Sequence, residues 1–78
     1  MSPLAHTDVD IDGRRYRVIL RDGEPVGVAA WVVEEFGPRV PHGYWRRLWS
    51  QGRRAHGRVA RMVIAKAMGV APEALAVA

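Results

Sequence analysis

Seven basic residues, Arg46, Arg47, Arg53, Arg54, Arg58, Arg61 and Lys66, fall within 21 residues that contain no acid. Guanidinium groups bind phosphate through two parallel hydrogen bonds, so the chemistry such a run offers is anion binding. Helix surfaces usually interleave signs, because opposite charges three or four residues apart attract and like charges repel. An unpaired cationic run is relieved by a polyanion, by an acidic protein, or by acids elsewhere in the chain; otherwise it is a solvated face. Duplex DNA is the partner these seven residues fit best, with the salt dependence that counterion release imposes. They are the candidate nucleic-acid contacts.

Other groups lack the pattern that reaction chemistry needs. Asp8-x-Asp10-x-Asp12-Gly13 matches the opening of a calcium loop, but position 12 of such a loop must be a bidentate Glu and here it is Ile19. Carboxylates on a strand edge are the better reading. His6, His42 and His56 are the only imidazoles, none lies in an HExxH arrangement, and the chain has no Cys. Ser50 and His56 have no acid between 36 and 72 to orient the imidazole. Glu34 and Glu35 are adjacent and would point to opposite faces of a strand. No glycine-rich phosphate loop is present. No catalytic residue, metal site or cofactor is expected, and the chain reads as a non-enzyme.

The elements that would carry the basic run follow from turn chemistry and periodicity. Asp12-Gly13 and Asp22-Gly23 separate three runs, Asp8–Ile11, Arg14–Arg21 and Val26–Val33. Asp-Gly between such runs signals a hairpin, because a type I′ turn needs positive φ at both central residues. The expectation is a three-stranded antiparallel meander over 8–34, with residues 1–7 as a tail. Pro25 belongs at a strand start, and Val26–Val33, apolar on both faces, is the covered strand. A helix over 29–36 is the alternative, since Val28, Val32 and Glu35 have helical spacing. Gly37-Pro38 and Pro41-His42-Gly43 make 37–43 a loop. Trp45, Leu48 and Trp49 stand at i, i+3 and i+4, which predicts a helix over Tyr44–Ser50 with both tryptophans in the core rather than stacked on bases. Gly57–Met68 predicts a second helix ended by Gly69, and Pro72–Val77 a short third one. The fold class expected is therefore α+β: a three-stranded meander followed by two or three helices, with Trp45, Leu48, Trp49, Val59 and Val63 packed toward the sheet.

Composition sets further bounds. The 78 residues make one domain. Ala and Val, 11 each, supply much of the apolar content, so the core is modest. Either the six large aromatics cluster or the chain self-associates. The net charge of +4 divides into −3 over residues 1–35 and +7 over residues 36–78. With 11 Arg to one Lys, a GC-rich coding sequence also contributes to the arginine content. No basic start is followed by an apolar stretch, and no run approaches the ~20 apolar residues a bilayer span requires. A cytoplasmic setting is expected.

The stretch from Val59 to Leu75, VARMVIAKAMGVAPEAL, resembles the closing helices of Cro-type and lambda-repressor-type helix-turn-helix regulators, which commonly end in an IAKALGVSPEEL-like segment. Leu48–Arg54 is similar to the exit of their recognition helix. The resemblance covers about 30 residues. It implies that Tyr44–Ser50 is the major-groove helix, that Arg46 and Arg47 contact bases or phosphates, and that the protein is a homodimer reading half-sites. The family has two more helices before the recognition helix, where this chain reads as strands. The Ala- and Arg-rich style also resembles small accessory proteins of actinobacterial phages. The function expected is a small cytoplasmic DNA-binding regulator, with a non-enzymatic protein-interaction module as the alternative, its partner an acidic protein.

Overall fold

A computed structural model describes residues 3–52 and 56–75. Four strands, β1 (Leu4–Ile11), β2 (Arg14–Arg21), β3 (Glu24–Glu35) and β4 (Pro41–Ser50), form one antiparallel sheet in the order β1-β2-β3-β4. One helix, α1 (Arg58–Met68), and a single 3-10 turn at Pro72–Ala74 follow. Both Asp-Gly turns have positive φ at the two central residues: 51° and 76° at Asp12 and Gly13, 53° and 79° at Asp22 and Gly23. The side chain of Asp tolerates that conformation and Gly has no Cβ to oppose it.

Two irregularities bend the sheet. Ile19 faces Gly27 while Leu20 faces Pro25, which leaves Val26 as an extra residue beside the proline that cannot donate. Val28 faces Trp49 while Ala29 faces Arg47, so Leu48 is the extra residue of a second bulge.

The register sorts the side chains. Tyr16, Val18, Val28 and Trp49 project to one side and meet Ala60, Val63 and Ile64 of α1, with Val9, Ile11, Leu20, Ala30 and Leu48 around them. Val18, Val28, Val63 and Ile64 are fully buried, each worth roughly 1.5–3 kcal/mol. α1 lies over β1, β2 and β3. It ends in a Schellman arrangement: Gly69 has φ 71°, its N–H reaches the Lys66 carbonyl at 3.3 Å, and the Val70 N–H reaches that of Ala65 at 3.0 Å. The other side of the sheet, carrying Arg15, Arg17, Trp31, Trp45 and Arg47, has no element of the described chain over it.

Several expectations are corrected. The protein is predominantly β: among the described residues the meander has four strands, not three, and one α-helix follows it, not two or three. Tyr44–Ser50 is part of β4 and not a helix, so no recognition helix exists at that place. The bulge is the physical reason. It breaks the strict alternation of a strand at Arg47–Trp49 and leaves Leu48 and Trp49 packed on the same core, which imitates an i, i+3, i+4 stripe. Trp45 is consequently on the open face, while Trp49 is core. Val59 is 48% exposed rather than packed on the sheet. Strand β1 begins at Leu4, inside the segment expected as a tail, because residues 4–7 pair with 18–21. The terminal helix shortens to Pro72–Ala74, and the remainder of its predicted range, from 76 on, lies outside the described residues.

Candidate anion-binding groove

Strands β3 and β4 run on past the end of β2, since the β2–β3 pairing stops at Tyr16 and Ala30 while β3 pairs with β4 as far as Glu35 and Pro41. Together with the start of α1 this overhang encloses a groove of about 680 Å³ on the helix-bearing side. Tyr16, the β3 stretch 30–33, Leu48 and Val59 supply an apolar lining; Arg14, Arg46 and Arg58 supply the charge, and no carboxylate lines it. The three guanidiniums come from three elements: Arg14 from the residue after the first turn, Arg46 from β4 opposite Ala30, and Arg58 from the first residue of α1.

The helix start adds to the same potential. No acid occupies the first turn of α1, and Gly57 provides no side-chain cap. The first N–H groups of a helix carry positive partial charge and favour anions. Here the first turn instead carries Arg58 and Arg61, and the Arg61 Nε is buried without a hydrogen-bond partner among the described residues. That arrangement is unfavourable for an isolated helix and favourable for holding an anion.

Of the seven basic residues read from the sequence, the five described ones do not share one site. Arg46 and Arg58 share the groove. Arg47 lies on the opposite face of β4, where it pairs with Ala29. Arg61 is one turn into α1 and half-buried. Lys66 sits at the far end of α1 and donates to the backbone carbonyl of Asp10 at 2.8 Å, so it ties helix to sheet. Arg53 and Arg54 lie outside the described residues. Arg14 was missed because it belongs to the acidic half of the sequence, and its place after an Asp-Gly turn carries no signal that it will face the helix start.

The acids of the first half do not neutralise the groove. Arg17 Nε and its second nitrogen bond Asp8 at 2.8 and 3.0 Å, and Arg15 reaches Asp10 at 3.4 Å, all across β1 and β2. The Arg17 bonds hold the Asp8 carboxyl below the ordinary aspartate range, and Asp8 in turn raises Arg17. Asp8, Asp10 and Asp12 therefore do not converge on one point, and no cluster of three metal-ligating side chains occurs among the described residues. Nor is any described helix long and apolar enough to cross a membrane. No family model, curated protein or solved structure matches the chain.

Proposed function

We propose that this is a small, non-enzymatic DNA-binding protein of regulatory type that docks on the duplex backbone through Arg14, Arg46 and Arg58. The observation that carries this reading is that three arginines from separate elements line one groove that no carboxylate lines. Each can take a phosphate bidentately, and the uncapped start of α1 adds backbone donors. Arg61 reinforces the local potential. Sequence readout through a helix starting at Tyr44 forms no part of the proposal. Fluorescence anisotropy with a mixed-sequence duplex, repeated over a salt series, tests it. The affinity is expected to fall steeply with salt, and the Arg46→Ala, Arg58→Ala double variant to flatten the slope of log K against log salt by about two, at ~0.9 per phosphate contact. A wild-type slope near zero, or a double variant with an unchanged slope, overturns it.

A second reading, a protein-interaction module, draws on Val33, Phe36 and Val40, which are 59%, 54% and 57% exposed around the β3–β4 turn. Exposed apolar groups gathered at one tip favour a protein surface. Under that reading Phe36→Ser abolishes partner binding and leaves duplex affinity unchanged.

A further inference from the structure

The uncovered face of the sheet carries two tryptophans and two arginines, of which only Trp31 also borders the groove. Trp31 pairs with Trp45 across β3 and β4, with ring centroids 5.1 Å apart and planes at 62°. The Trp31 indole lies across Gly43, where an added Cβ would collide with the ring. Gly43 is thus a bare patch of strand on which an aromatic ring rests. The Trp31 side is 39% exposed, so the ring is supported by the strand below and open to solvent. The Trp45 ring is already engaged, with the Arg17 guanidinium carbon 4.2 Å from its centroid.

Charge on this face is divided. Arg15 and Arg17 are joined to Asp10 and Asp8. Arg21 and Arg47 are exposed, form no ion pair among the described residues although Glu24 stands opposite Arg21, and line one depression together with Ile19, Gly27 and Ser50. Along β4 the order is therefore a supported ring, a guanidinium-stacked ring, then an arginine with a second arginine beside it. Exposed aromatics interleaved with unpaired arginines on an open sheet match the chemistry of unpaired nucleotides, whose bases stack and whose phosphates bind guanidinium. A second copy of the chain is a poorer occupant. Stacking this face on itself would bury Arg21 and Arg47 while the second copy's Asp8 and Asp10 are already bonded to its own Arg17 and Arg15, and burying an unpaired charge is costly.

We infer that the open face of the sheet is a binding site for single-stranded nucleic acid, in which one unpaired base stacks on Trp31 and adjoining phosphates bind Arg47 and Arg21. Trp31 also borders the groove, but Arg47 and Arg21 do not, so the two sites differ in the cations they use. The test compares a labelled single-stranded 12-mer with an abasic oligomer of the same length, by anisotropy at low salt. Wild-type protein is expected to prefer the normal oligomer by roughly tenfold or more, the range of one base–aromatic stack. Trp31→Ala removes that preference, Trp31→Tyr keeps most of it, and Arg47→Gln lowers the salt slope by about 0.7 while keeping the preference. The Arg46→Ala, Arg58→Ala variant keeps it as well, so failure of the groove and failure of this site are distinguishable. Three results overturn the inference: no binding of either oligomer, a wild-type preference near one, or a preference that survives Trp31→Ala. If Trp31→Ala does not fold by circular dichroism, the wild-type abasic comparison still decides.

Discussion

Gly43 is the residue whose identity matters most on the open face, although its backbone is ordinary strand. Any side chain there collides with the Trp31 indole, and an aromatic ring cannot shift as a flexible chain end can. Gly43→Ala is expected to displace Trp31 and to destabilise the fold by about 1–3 kcal/mol, the usual cost of overpacking; a denaturant melt with a red-shifted tryptophan emission checks both. Asp8 gives a pH prediction of definite sign. Its carboxyl is held below the ordinary range by hydrogen bonds from Arg17. Its contribution is therefore complete above the unfolded pKa, near ~4, and lost as pH falls through the lower folded value. Asp8→Asn is expected to lower the denaturation midpoint slightly at pH 7, and the deficit to shrink as pH falls below the unfolded value. A variant deficit that persists at low pH contradicts this account.

The elements differ in how far the sequence announces them. The two Asp-Gly turns and the Gly69 helix stop are local chemistry: each is set by residues that are good at one backbone conformation, and both were readable without tertiary knowledge. Strand β4 was not. Its bulge is defined by the partner strand, because only the pairing of Val28 with Trp49 and Ala29 with Arg47 makes Leu48 the extra residue. A seven-residue apolar-and-basic run then reads equally as a helix face. Because Tyr44–Ser50 is strand and successive strand side chains alternate, Arg46 and Arg47, adjacent in sequence and expected to act together, lie on opposite sides of the sheet. The groove depends on the unequal lengths of the hairpins and on where α1 lands, neither of which a spacing rule contains. The start of α1 also supports a prediction of its own. Arg58 in a first turn without acids opposes the helix dipole. Arg58→Glu is expected to stabilise the protein by about 0.3–1 kcal/mol at low salt while weakening duplex binding, and paired melting and anisotropy measurements read the two effects in opposite directions.

In the whole molecule the net charge of +4 conceals a separation that folding does not remove. Asp8 and Asp10 bond arginines of the neighbouring strand, within the acidic half. The cations of the groove, and Arg21 and Arg47 behind it, have no carboxylate partner among the described residues, so the fold holds like charges near one another on both sides of the sheet. A protein stabilised chiefly by surface ion pairs loses stability as salt screens them; one strained by self-repulsion gains it. The expectation here is the second. The Tm should rise by a few degrees between 20 and 300 mM sodium chloride, where 1 kcal/mol corresponds to about 4–8 °C for a domain of this size. Sulfate at matched ionic strength should raise it further, through site occupancy at the groove and through the general exclusion of sulfate from protein surfaces. The Arg46→Ala, Arg58→Ala variant separates these contributions. It keeps the general response and loses the site-specific part, so its sulfate-minus-chloride difference should be smaller than that of wild type. An equal difference in the two proteins would mean that the three arginines do not act as one anion site.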